Sequence, residues 1–140
     1  MTLHFAIPAM DFSAAGKAST EVKKLLSSIG FDSSLVKRVA VAMYEGEMNV
    51  AIHGGGGQAE VNLDPSQIKI RFIDHGPGIA DIDLAMTEGY STASEEVRSM
   101  GFGAGMGLPN MKRNADVLEI SSAVNEGTTV TLLWRLGAVS

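Results

Sequence analysis

Apolar residues change their spacing several times along the chain, and each change predicts an element. Leu3, Phe5 and Ile7 alternate with polar or small neighbours as far as Pro8, the period of two expected of a strand with one buried face. From Asp11 to Ile29 the spacing lengthens to three and four. Phe12, Ala15, Val22, Leu25, Leu26 and Ile29 share a helical face, and Gly30 follows where a left-handed residue can close a helix. Asp32, Ser33 and Ser34 offer caps for a second helix, in which Leu35, Val39, Met43, Gly46 and Val50 recur to about Ile52, before the glycine run 54–57 ends it. The period returns to two over Ala59–Leu63 and Gln67–Ile73, either side of the turn Asp64-Pro65-Ser66, and predicts a hairpin. Asp81–Met86 predicts a short helix. Residues 87–106 are polar, rich in glycine and without a period, which predicts a lid. Pro109 opens a helix over Leu108–Ala115. Val117–Ala123 and Thr128–Arg135 then alternate around Asn125-Glu126-Gly127, with Val130, Leu132 and Trp134 on one face.

Strands in adjacent antiparallel pairs, separated by helices that can cover one face, predict a two-layer α/β sandwich of the α+β class, with residues 1–140 as a single domain. A chain of 140 residues, 45% hydrophobic and 19% charged, suits one globular unit. A net charge of -5 argues against nucleic acid or an anionic membrane as the main partner, since both need clustered Lys and Arg. The absence of cysteine excludes disulfides, thiolate zinc sites and a cysteine nucleophile. No run approaches the roughly 18 apolar residues of a membrane span, and the start lacks a basic leader region, so a cytoplasmic protein is expected. The 16 glycines cluster at 54–57, 76–78 and 101–107, and that is where chemistry is sought.

Four constellations stand out. Glu45 and Asn49 are one helical turn apart, with His53 a turn further on, so the three share a face. A carboxylate and an amide oxygen so placed can orient a hydroxyl or a water and ligate a hard cation such as Mg²⁺; a solvated polar face would show the same spacing. Glu47 lies on another face and reads as structural or solvated. Asp74 ends an apolar strand directly before His75-Gly76-Pro77-Gly78, where a carboxylate can accept an N–H from a ligand and glycines allow close approach, although the same residues make a good turn. Gly101, Gly103, Gly105 and Gly107 alternate into a helix, an arrangement whose exposed N–H groups suit phosphate. The endings of a P-loop and of a Rossmann loop are both missing. Gly127-Thr128-Thr129 enters the last strand, as a plain hairpin turn also would.

Taken together and in this order, these segments resemble the GHKL ATPase superfamily, which includes gyrase, histidine kinases and a heat-shock chaperone. Glu45-x-x-x-Asn49 resembles its N box, Asp74-x-Gly76-x-Gly78 its G1 box, Gly103-x-Gly105-x-Gly107 its G2 box and Gly127-Thr128-Thr129 its G3 position. Asn49-Val50-Ala51-Ile52-His53-Gly54, Gly89-Tyr90-Ser91-Thr92 and Gly107-Leu108-Pro109-Asn110-Met111-Lys112-Arg113 are similar to bacterial anti-sigma regulatory kinases, the last pointing to the switch-protein serine/threonine kinase branch.

The resemblance implies a Bergerat-type ATP-binding fold with a lid at about 87–107, using ATP and Mg²⁺. It implies Glu45 as general base, Asn49 as Mg²⁺ ligand, and Asp74 as the reader of the adenine amino group, with Gly76 and Gly78 beside the ring. Gly103, Gly105 and Gly107 would give N–H groups to the phosphates, Thr129 would close the adenine pocket, and Lys112 or Arg113 would add positive charge. The implied function is phosphorylation of a STAS-type anti-sigma antagonist on serine or threonine in a partner-switching circuit, with a sigma factor or a phosphatase as further partners. It is compatible with a homodimer. The alternative is a nucleotide-dependent module that sequesters a sigma factor without catalysis.

Overall fold

The structure, a computed structural model, describes residues 1–9, 16–53, 55–79, 86 and 107–137. Residues 81–85 of the expected helix at 81–86, most of the lid, and Gly103 and Gly105 with it, lie outside these residues. Among the described residues the order is β1 (Thr2–Ile7), α1 (Lys17–Ile29), α2 (Ser33–Ile52), β2 (Gly57–Leu63), β3 (Gln67–Asp74), α3 (Gly107–Asn114), β4 (Val117–Ala123) and β5 (Gly127–Arg135). The strands form one antiparallel sheet in the order β1-β2-β3-β5-β4, the α+β architecture expected.

Alternation decides which side chains leave the water. Ala59 and Val61 of β2, Ile68, Ile70 and Phe72 of β3, and Val130, Leu132 and Trp134 of β5 are buried on one sheet face. They meet Val22 and Leu26 of α1, Val36, Val39, Met43 and Val50 of α2, and Met111 of α3. Trp134 is fully buried, and its indole N–H donates to the Asn114 carbonyl at 2.6 Å, so α3 ends tied to β5 and the ring's polar atom is satisfied.

The helix ends follow local chemistry with one exception. Gly30 takes a left-handed conformation (φ 100°) and, with Phe31, returns N–H groups to the last carbonyls of α1. The Asp32 carboxylate caps α2 by accepting the N–H groups of Ser34 and Leu35. Helix α1 is the exception: it begins at Lys17, after Gly16 at φ 89°, and residues 11–15 of the expected helix lie outside the described residues. Gly16 has no side chain with which to cap. The carboxylate of Glu47, 2% exposed, does it instead, accepting N–H groups from Gly16 (3.1 Å), Ala18 (3.3 Å) and Ser19 (2.6 Å). A buried charge is tolerated there because unpaired amides and the positive end of the helix dipole surround it.

Helix α2 crosses the sheet at a glycine. A Cβ on Gly46 would land on the ring of Phe72, which is itself buried and has no room to retreat. Gly46→Ala therefore reverses the usual helix preference. An exposed helical glycine gains up to about 1 kcal/mol on becoming alanine, whereas overpacking here costs about 1–3 kcal/mol. Thermal unfolding followed by circular dichroism is expected to show a lower Tm for Gly46→Ala than for the parent chain.

Candidate functional site

The site forms at one end of the sheet, where β3 stops. Asp74 is the last residue of β3, and its Oδ1 accepts the N–H of Gly76 (3.0 Å) and the N–H of Thr128 (3.1 Å). One bond shapes the loop that follows, and the other ties the carboxylate to the neighbouring strand β5. The loop is then pressed against the β4–β5 hairpin. Gly78 has φ 77°, and a Cβ there would strike the Ala123 carbonyl, so glycine is required on two counts. The Ile79 N–H donates to Ser122 Oγ (2.7 Å) and the Asn125 N–H to the Pro77 carbonyl (2.7 Å). Ser122 Oγ in turn donates to the Gly127 carbonyl at 3.1 Å, which leaves the Thr128 hydroxyl to donate to Ser122 at 2.8 Å. Gly127 must also lack a side chain, because a Cβ would meet the Asp74 carbonyl.

The alternation of β5 separates the two threonines. Thr128 is buried on the face of Val130, Leu132 and Trp134, and its N–H reaches Asp74. Thr129 points to the opposite face, in register with Ile73 and Ser121. The threonine that accompanies Asp74 is thus Thr128, a residue that stepping back by two from Val130 identifies. Ser122 carried no signal in the sequence, since its role follows only from the pairing of β4 with β5.

The second half of the site is the face of α2. Glu45, Asn49 and His53 are each half-buried on it, as the spacing predicted. Asn49 lies against the start of α3: a Cβ on Gly107 would come within 2.9 Å of Asn49 Oδ1. Glu45 Oε1 accepts from Asn110 Nδ2 at 3.4 Å. His53 caps the C-terminus of α2, its N–H donating to the Asn49 carbonyl, and lies close enough to Asp74 to feel its charge. Glu47, by contrast, faces α1, so the structural reading of that residue holds. Glu45 also lines a groove of about 500 Å³ between α1 and α2, shared with Thr20, Lys23, Lys37, Val41 and Tyr44. The structure therefore assembles Asp74, Gly76 and Gly78 as one group and Glu45, Asn49 and Gly107 as another.

Burial holds the His53 imidazole below its ordinary pKa of 6.5, and the Asp74 carboxylate offsets this only in part. A histidine that is harder to protonate when folded contributes nothing above its unfolded pKa and lowers stability as pH falls below it, because the unfolded chain then binds the extra proton. Denaturant unfolding at pH 7.5 and pH 5.5, each within about one pH unit of that pKa, is expected to show a loss at the lower pH that shrinks in His53→Gln. The His53 ring resonances are expected to titrate below 6.5.

Comparison with known proteins bears on the family and the fold. Residues 36–138 match the family described as histidine kinase-, DNA gyrase B-, and HSP90-like ATPase. The chain is 32% identical over 124 residues to the serine/threonine-protein kinase RsbT of Bacillus subtilis (strain 168), covering 86% of this chain and 85% of that protein. It is 33% identical over 105 residues to the anti-sigma F factor of Thermoanaerobacter sp. (strain X514), covering 71% and 70%. Among solved structures, the RsbU and RsbW domains of Rv1364c from Mycobacterium tuberculosis align with a TM-score of 0.66 at 20% identity, over 97% of this chain and 32% of that one. The SiaB-SiaC complex from Pseudomonas aeruginosa gives 0.58 at 11% identity, over 96% and 89%. With a fold of this kind and a match across both halves of the site, the chain belongs to the histidine kinase-, DNA gyrase B- and HSP90-like ATPases.

Proposed function

We propose that this protein is an ATP- and Mg²⁺-dependent serine/threonine kinase of a bacterial partner-switching circuit, acting on a STAS-domain antagonist in the cytoplasm. The observation that carries the reading is the pairing of a doubly anchored Asp74 with a helix face that presents Glu45 and Asn49. Similarity to a serine/threonine-protein kinase over 86% of this chain supports the protein-kinase branch of the family. No helix among the described residues is long and apolar enough to cross a membrane, which is consistent with the proposed location.

The residues fit a nucleotide. With Oδ1 of Asp74 engaged by Gly76 and Thr128, Oδ2 is the oxygen assigned to the adenine amino group, and Gly76 and Gly78, in the loop that follows, are assigned to the side of the ring. The Thr128 N–H holds Asp74, and Thr129, on the opposite face of β5, keeps the assignment of closing the adenine pocket. At the other end, the space left by Gly107 borders the Asn49 amide oxygen, the kind of neutral oxygen that completes a Mg²⁺ shell otherwise made of phosphate and water. When bound, Mg²⁺ would supply charge neutralisation across the phosphates. Gly107 would offer its N–H to the phosphates at the N-terminus of α3, and Gly103 and Gly105 are assigned the same task.

Glu45 is the group for the hydroxyl. The substrate's serine or threonine oxygen attacks the γ-phosphorus, the bond from that phosphorus to the β,γ-bridging oxygen breaks, and ADP leaves with the electron pair. The hydroxyl proton passes to the Glu45 carboxylate. The groove between α1 and α2 leads a polypeptide to this residue, with Val41 and Tyr44 for apolar contact and Lys23 and Lys37 for acidic side chains. The similarity to the anti-sigma F factor favours a second reading, in which the same pocket only sets the affinity for a sigma factor.

Two substitutions test these roles. Asp74→Asn keeps an oxygen for the two backbone N–H groups but turns an amino group toward the adenine. It is expected to fold normally and to weaken ADP binding in calorimetry by at least about tenfold, the effect of losing about 1.5–3 kcal/mol in a charged hydrogen bond. Glu45→Gln is expected to bind nucleotide as the parent does. With labelled ATP and the STAS-domain proteins of the same genome, it should transfer phosphate about 10²–10⁴-fold more slowly. Sequestration of a sigma factor undiminished in Glu45→Gln, with no phosphate transferred by the parent chain, would select the second reading.

A further inference from the structure

Two successive turns of α3 carry a hydrogen-bonded chain that ends on Glu45. Arg113 Nη2 donates to Asn110 Oδ1 at 2.6 Å, and Asn110 Nδ2 donates to Glu45 Oε1 at 3.4 Å. Arg113 and Asn110 are three apart, so they meet on one helix face. A guanidinium has donors and no acceptor, so it draws the amide oxygen of Asn110 to itself and leaves the amide NH₂ directed at the carboxylate. The Asn110 backbone is held as well, its carbonyl accepting from Asn114 Nδ2 at 2.9 Å.

We infer that Asn110 is a positioning residue for phosphoryl transfer, holding Glu45 Oε1 so that Oε2 is the oxygen presented to the substrate hydroxyl. The inference rests on the reading of Glu45 as base. A glutamate has three side-chain torsions, and a base that must meet a hydroxyl within about 3 Å gains from having them fixed beforehand. The separation of 3.4 Å is long, and hydrogen bonds to catalytic carboxylates commonly tighten once substrate is in place. The same turn of α3 begins at Gly107 against Asn49, so the segment that borders the cation ligand also sets the direction of the base. Asn110 touches neither nucleotide nor hydroxyl in this scheme and acts only through Glu45.

The test uses the full chain with glutamate labelled at Cδ. Asn110→Ala is expected to move the Glu45 carboxyl resonance, a readout that does not depend on turnover, and an unmoved resonance overturns the contact. Kinetics with labelled ATP and the STAS-domain substrate are expected to show kcat lowered about tenfold with the KM for ATP changed by less than about twofold. Asn110→Asp, which keeps the shape but removes the donor, should be slower still. In a Glu45→Gln background, Asn110→Ala should alter the residual rate by less than about twofold, because the group it positions is gone. An equal loss in both backgrounds, or a parent-like kcat in Asn110→Asp, overturns the inference. Failure of the parent chain to label any STAS-domain protein refutes the kinase reading instead, and the resonance still decides whether Asn110 holds Glu45.

Discussion

The close approach of α2 to the sheet at Gly46 is the constraint on which the rest of the structure depends. Because that residue has no side chain, the helix rests directly on the Phe72 ring, and its two neighbours in sequence are turned to opposite sides. An α-helix advances about 100° per residue, so Glu45, Gly46 and Glu47 point to three different places. Gly46 meets the core, Glu47 is buried against the start of α1, and Glu45 is left half-exposed beside α3. A larger residue at position 46 would lift the helix and disturb all three at once.

The two acidic residues of that trio show how environment assigns roles to the same chemistry. Glu47 is enclosed by three backbone amides and serves as the missing cap of a helix that starts on a glycine. Its charge is fully occupied within the fold. Glu45 has one amide donor and a groove in front of it, and so retains capacity for a substrate. Asp74 lies between these extremes: two backbone N–H groups hold one of its oxygens in place, and one of those comes from β5. Those anchors make the carboxylate part of the sheet, so a ligand that it accepted would be positioned by the fold itself. The His53 imidazole nearby is held below its ordinary pKa by burial, which the charge of the same carboxylate offsets only in part.

Much of this was legible along the chain, for local reasons. β4 begins and ends where alternation placed it, and the Asp64 turn is held as its residues suggest, with Asp64 Oδ1 accepting the Ser66 and Gln67 N–H groups. The shared face of Glu45, Asn49 and His53 follows from helical spacing alone. What escaped the sequence depends on distant pairing. The contact of β3 with β5 joins segments on either side of the lid, and it is this contact that brings the Thr128 N–H to Asp74. The N-terminal N–H groups of α1 are capped by Glu47 from the next helix, and no local pattern announces such a partner. Asn110 was visible in the motif but silent in meaning until α3 was laid beside α2.

The proposed function requires one nucleotide to span from Asp74 to the Asn49 face of α2. A crystal structure of the protein with Mg²⁺ and a non-hydrolysable ATP analogue tests it most directly. The adenine amino group is expected within hydrogen-bonding distance of Asp74 Oδ2 and Mg²⁺ on the Asn49 amide oxygen, with the γ-phosphate facing Glu45. A nucleotide bound elsewhere, or one whose adenine leaves Asp74 untouched, would contradict it.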